Sequence, residues 1–280
     1  MLSRLLKHEW KETWKIPVLS ITIILIMTLV CVICFTRMTP PPTEDAVNVG
    51  ALFLFLGYSI LISCVSVVLL VYIAVRFYRS LYTDEGYLMH TLPVTPSQLI
   101  LSKLLVGSFW YLALSLLVIW AMLMILVFGM PVLVFEEAWT EVDLKWFPKY
   151  FNELFGMSPG AFAVFFAVLM PVSSLGSVAV TYASISLGQL FSRHKVMASV
   201  LCYFGFTMLM QTAVSIALTP WLTRLIISEA AGTADSFGIP AFMGGFMRST
   251  LLLSLAGSAV SAAASFFISE YVMRKRLNLD

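Results

Sequence analysis

The sequence predicts an all-α integral membrane protein: six transmembrane helices preceded by an N-terminal amphipathic interfacial helix, with both termini cytoplasmic. Three observations predict it. The 280 residues are 60% hydrophobic and 11% charged, against about 25% charged in an average soluble domain, so a soluble fold would lack the polar surface to cover itself. Six stretches are apolar over the roughly 20 residues that a helix needs to cross about 30 Å of hydrocarbon. The basic residues are unevenly shared between the segments that join those stretches, and this sets the orientation. The domain plan is an interfacial helix over 1–15, a six-span domain over 16–272 and a cytoplasmic tail over 273–280.

The first element is MLSRLLKHEWKETWK, where Leu2, Leu5, Leu6, Trp10 and Trp14 recur at spacings of three and four. Arg4, Lys7, Lys11 and Lys15 fall mostly between them. That pattern predicts a basic amphipathic helix lying in the membrane interface, with Trp at headgroup depth, and Pro17 permits the turn into the first span. The six spans are Ile16–Phe35, Val49–Val75, Leu99–Phe128, Ala161–Phe191, Val196–Leu218 and Ser249–Val272. None alternates as a barrel strand would. A cleavable signal peptide is not expected, because the first apolar run is full-length and Arg37-Met38-Thr39-Pro40 follows it. With the N-terminus inside, twelve of the seventeen Lys and Arg residues fall on the inside segments, and nine of the fifteen acidic residues fall outside. This is the positive-inside asymmetry, and it predicts a multi-pass protein of the cell membrane.

Between the spans, RMTPPPTEDAVN is a short outer loop stiffened by three prolines. The longer outer loop, about 129–160, repeats aromatic residues as Phe147, Tyr150, Phe151 and Phe155, with Pro148 suited to a first helical turn. A short amphipathic helix is expected there, resting on the outer leaflet or capping the bundle. In the fourth span Ser173, Ser177, Thr181, Ser184 and Gly188 step by three and four and so share a face. Gly257, Ser261 and Ser265 do the same in the sixth. Small residues let helices approach closely in lipid, so both rows read as packing seams. The fourth-span row, together with Gln211, is alternatively a slightly polar translocation surface. The segment from Thr219 to Met247 reads as an outer loop of mildly apolar character. Cys31, Cys34, Cys64 and Cys202 all fall inside spans, lack metal-type spacing with His, and read as buried small hydrophobes without a disulfide.

Catalytic patterns are missing. No acidic or basic residue occupies the centre of a span, which argues against a proton pump or an ion-coupled carrier built on a membrane carboxylate. His8, His90 and His194 all lie in the inside segments, H-E-x-x-H does not occur, and neither does G-x-x-x-x-G-K-[ST]. The chain is therefore not expected to be an enzyme. No metal and no nucleic-acid partner is expected, and any energy for work must come from elsewhere.

The one long polar passage in the first half is YRSLYTDEGYLMHTLPVTPSQLILSK, from Tyr78 to Lys103, on the inside and centred on a loop of about 76–98. Thr83 or Asp84 suits the cap of a short helix over Glu85–Leu92. Pro93 ends that helix, because it disfavours helical geometry in the residue before it. Thr95 then serves as N-cap of the next helix, with Pro96 at its first position. A short helix between two sharp stops is rigid, as a coupling element must be.

At Glu85-Gly86-Tyr87-Leu88, Leu92-Pro93-Val94-Thr95 and Lys103 the sequence resembles the loop between the second and third spans of type-2 ABC exporter permeases. The interfacial helix, the six spans and the inside termini match that topology over the whole chain. Tyr87 departs from the small or hydroxyl residue that many members have. The resemblance implies the membrane subunit of an ATP-driven exporter. Its loop would dock on a separate ATP-binding subunit that carries ATP and Mg, with no cofactor on this chain. It implies Asp84, Glu85, Gly86, Leu88, Leu92 and Pro93 as the ATPase contact and Arg193 and Lys195 as a second, smaller one. It also implies a second permease copy or paralogue. The alternative from the residues alone is a non-transporting sensor, immunity protein or scaffold that uses the same loop for docking.

Overall fold

The computed structural model describes residues 2–38, 48–83, 95–133, 147–191, 193–230 and 239–275. Among these the chain is an all-α membrane protein built from eight helices: α1 (Leu2–Thr13), α2 (Lys15–Arg37), α3 (Val49–Tyr82), α4 (Pro96–Leu133), α5 (Phe147–Phe155), α6 (Pro159–Gly188), α7 (Lys195–Ala230) and α8 (Ile239–Lys275). Six of them (α2, α3, α4, α6, α7 and α8) are long and apolar enough to cross a membrane. The chain divides into two compact units, one of residues 1–76 and 109–143, the other of residues 77–108 and 144–280.

In the first unit α2 buries one stripe, Pro17, Ser20, Ile24, Thr28, Cys31 and Phe35, at helical spacing. Thr28 donates to the Ile24 carbonyl at 2.7 Å, and the Tyr58 hydroxyl of α3 lies 2.6 Å from its oxygen. The helix α1, expected at the interface, is not held by its apolar stripe alone. Its buried positions include Glu9, 5% exposed, and Thr13. The Arg76 guanidinium on α3 pairs with Glu9 at 3.6 Å and with Glu12. Trp10, expected at headgroup depth, stacks on Trp110 at 4.8 Å between ring centres and leans on Phe109 at the same distance. The helical path continues through Trp14, whose N–H donates to the Trp10 carbonyl. Pro17 lacks the N–H that would have met the Thr13 carbonyl, which is where the two helices divide. The cysteines are free; Cys31 is buried and Cys64 is exposed.

In the second unit α6 packs along α8 and α7. A Cβ placed on Gly176 would lie 3.0 Å from the Ser258 carbonyl oxygen and 3.2 Å from Ser261 Oγ, so the α6–α8 seam approaches backbone to backbone there. The short helix expected in the long loop is α5. It packs against α8 and α6, and on α6 it meets Phe162 through the rings of Phe151 and Phe155, with centres 4.5–5.2 Å apart among the three. Gly156 ends α5 with φ +67°, and a Cβ on it would meet the Gly244 carbonyl oxygen at 2.5 Å. Ser158 then caps α6 by accepting from the Ala161 N–H, with Pro159 next in line.

The segment expected as an outer loop from Thr219 to Met247 is largely helical, since α7 runs to Ala230 and α8 begins at Ile239. Its loop signals have other roles. Pro220 lies inside α7, and the glycines at 244 and 245 are close-approach points, one against Gly156 and the other beneath the Trp221 ring.

Three expectations follow. Gly156→Ala forces a left-handed Cβ into the Gly244 backbone and destabilises the protein by about 2 kcal/mol or more. Gly57→Ala, where a Cβ meets nothing within 4 Å, is neutral or stabilises by up to about 1 kcal/mol. Thermal unfolding in mild detergent reads both signs. Arg76→Leu removes the guanidinium that pairs with the buried Glu9 and with Glu12 and costs about 2 kcal/mol. Limited trypsin digestion then cuts at Lys7 and Lys11 sooner than in the parent, and Glu9→Leu in the same chain restores most of the protection.

Candidate functional site: the stems of the polar loop

The expected coupling residues Asp84, Glu85, Gly86, Leu88, Leu92 and Pro93 lie outside the described residues. What the structure describes is how the loop's two stems, residues 77–83 and 95–103, are held within the second unit. The entering stem is the last turn and a half of α3. Its Phe77 ring lies flat on Tyr182 of α6, 3.8 Å between centres and 8° from parallel. The Tyr82 hydroxyl donates to Ser186 Oγ at 2.9 Å, and Ser186 donates in turn to the Tyr182 carbonyl at 3.0 Å. Ser80 and Leu81 are buried. Thr83 donates to the Arg79 carbonyl and so closes the end of the helix.

The leaving stem begins as the sequence predicts. Thr95 precedes α4, its carbonyl accepts from the Gln98 and Leu99 N–H groups at 3.0 and 3.2 Å, and Pro96 is the first helical residue. Ser97 donates to Glu270 Oε1 of α8 at 2.7 Å and accepts from the Arg274 guanidinium at 3.3 Å. Glu270 and Arg274 pair with each other at 2.6 Å across one helical turn. Further along the same stem the Tyr182 hydroxyl donates to the Lys103 carbonyl at 3.3 Å. Tyr182, 3% exposed, therefore touches both stems, with its ring on one and its hydroxyl on the other.

Sequence reasoning missed Tyr182, Ser186, Glu270 and Arg274. One signal was available: Glu270 and Arg274 form an i, i+4 acid–base pair at the end of an apolar helix. Nothing marked Tyr182, since an aromatic residue in an apolar run reads as ordinary core.

Arg193 and Lys195 stand in the tight connection from α6 to α7. Arg193 is exposed and Lys195 half-buried. A Cβ on Gly188 would overlap Ser199, so the two helices meet closely at this turn. It lies just beyond Ser186, at the end of α6 that carries the stem contacts.

In the fourth-span hydroxyl row most donors turn onto carbonyls of their own helix. Thr181 and Ser184 are buried, as is every residue from Val178 to Ser186, while Ser173 and Ser177 are half-buried. Ser177, Thr181 and Ser184 donate to carbonyls of their own helix at 2.7–3.0 Å. Gln211 is exposed on α7.

No protein-family model, curated protein or solved structure matches the chain.

Tyr182→Leu removes a ring stack and a hydrogen bond, together worth about 2 kcal/mol. Amide hydrogen exchange over residues 78–83 and 95–103 is expected to quicken more than about tenfold. Tyr182→Phe keeps the stack and gives a smaller change, about fivefold.

Proposed function

We propose that the chain is the transmembrane permease subunit of an ATP-driven exporter of the ABC type, in the cell membrane with both termini cytoplasmic. In this reading the polar loop between α3 and α4 docks on a separately encoded ATPase subunit. The observation that carries the reading is the fixing of both loop stems by one side chain, Tyr182, reinforced by the Ser97–Glu270–Arg274 contacts. A loop that only joins two spans needs no such mount. One that must deliver a push does, because displacement is lost wherever the stems bend independently of the bundle.

Closure of two ATPases around ATP would draw the loops of two permeases together. Each loop would move its α3 and α4 stems, and through Tyr182, Ser186 and Glu270 it would carry α6 and α8. Asp84 and Glu85 supply charge for the contact, Leu88 and Leu92 its apolar part, and Gly86 and Pro93 its shape. Arg193 and Lys195 supply a second, basic contact at the same end of α6. ATP and Mg belong to the partner.

The test is purification of the tagged protein from its native membranes in mild detergent, followed by an ATPase assay on the eluate. The expected result is a co-purifying P-loop subunit in roughly equal amount that hydrolyses ATP, lost in Glu85→Arg and Gly86→Pro while membrane insertion is unchanged. Recovery of the protein alone, or with a partner that lacks ATPase activity, overturns the exporter reading in favour of a sensor or scaffold.

A further inference from the structure

We propose that the groove between the loop-side ends of α6 and α8 holds one acyl chain of an anionic phospholipid, whose phosphate lies on Arg193 and Arg274. The site is built wholly from the second unit, and it does not rest on the exporter reading.

The groove follows from how the two helices end. They run in the same direction, since Gly156 meets Gly244 near their starts and Gly176 meets Ser258 further along. α6 stops at Gly188, where the chain turns into α7, while α8 runs on to Lys275. Counted from the Gly176–Ser258 contact, α8 outlasts α6 by about five residues, or about 8 Å. Beside that overhang lies a space of about 510 Å³, within the range of small-ligand sites. Leu187 and Leu190 form one wall, and Phe267, Ile268, Tyr271 and Val272 of α8 form the other. The Tyr271 hydroxyl is the one polar side-chain group in this lining.

The depth of the groove is set by what stands level with it. Glu270 falls among its α8 residues and Arg274 just beyond them. The two pair with each other at 2.6 Å, and both bond Ser97 at the start of α4. Charged groups of a span gather where the hydrocarbon ends, so the groove lies at the level of the first methylenes below the headgroups.

The charge at this end is one-sided. Arg193, Lys195, Arg274 and Lys275 stand in or next to the ends of α6, α7 and α8, against one acid, Glu270. Arg193 follows Leu190 by three residues, is exposed and makes no ion pair among the described residues. Arg274 follows Tyr271 by three residues. Its side chain is 57% exposed even while paired with Glu270, so part of its five-donor fork is left for a phosphate.

These two halves indicate the occupant: an apolar chain at one end and an anion at the other. The α8 wall runs only about 8 Å, from Phe267 to Val272. A partner helix is about 10 Å across and presents its seam over several turns, so this wall is too short to seat one. A lipid tail gains little by leaving other tails. Selectivity therefore comes from the headgroup, and basic sites between helices hold anionic ones.

The experiment places the full chain in phosphatidylcholine vesicles. The probe is phosphatidylglycerol carrying a diazirine near the glycerol end of one acyl chain, and the comparison is phosphatidylcholine with the same chain. A docked subunit would share Arg193, so no ATPase is present. After irradiation the labelled peptides are mapped by mass spectrometry. The phosphatidylglycerol probe should label 187–190 and 267–272 above every other apolar stretch, and about fivefold or more above the phosphatidylcholine probe. Arg193→Gln should lower that preference about fivefold, the share of one basic residue. Leu190→Trp, which fills the groove, should remove the label at 267–272, while Leu252→Trp near the other end of α8 leaves it. Equal labelling by the two probes means boundary lipid only and overturns the proposal. So does a groove labelled no more than the rest of the spans, or a preference that survives Arg193→Gln. If Leu190→Trp fails to fold, the two probes on the parent and on Arg193→Gln decide. Loss of ATPase co-purification leaves this result untouched, so the two readings fail separately.

Discussion

A helix in hydrocarbon gains nothing by hiding apolar side chains from its neighbours, since lipid tails are as apolar as leucine. What draws α6 and α8 together must therefore be close contact and polar satisfaction. Both are visible at Gly176, where the α8 backbone and Ser261 come within touching distance. Most serines and threonines of these spans are compatible with that environment because they close their donors on a carbonyl three or four residues earlier, as Ser177, Thr181, Ser184, Ser258 and Ser261 do; the buried Ser265 hydroxyl of α8 is an exception, meeting no partner among the described residues. A hydroxyl treated this way behaves as a small side chain. The rest of the second unit depends on this seam, since α5, α7 and the loop stems all rest on α6 or α8.

The stems show where stronger polar bonds are used. At the loop end of the helices the pairs are side chain to side chain and reach between helices: Tyr82 with Ser186, Ser97 with Glu270, Arg274 with Ser97. The same holds at Arg76 with Glu9 and Glu12 in the first unit. Charged groups need water or each other, and they gather where the apolar runs end. Orientation of one helix on another is set there, and the middle of the spans supplies close fit.

Length and hydropathy made the six spans legible in the sequence, and helix-end chemistry located the start of α4, because Thr95-Pro96 and apolar runs act locally. The α5 helix was legible for the same reason, from Phe151, Phe155 and a proline in the first turn. What was not legible depends on partners distant in sequence. Glu9 sits on the charged side of an amphipathic pattern and reads as solvated, yet it is buried because Arg76 lies 67 residues away. Gly244 and Gly245 read as loop residues, yet they are helical, and their missing side chains let Gly156 and Trp221 come close. Tyr182 reads as core, and its contacts with Phe77 and the Lys103 carbonyl give it a part in holding the loop.

The same contrast between local and distant partners separates the hydroxyl row of α6 from Gln211. A serine or threonine row on a span attracts a reading as a path for cargo, but donors closed on their own helix have little left to offer a passing molecule, and from Val178 to Ser186 that helix is covered on every side. A glutamine amide is too long and too rich in donors to be satisfied by one carbonyl of its own turn. It needs a partner from outside its helix or a wet cavity.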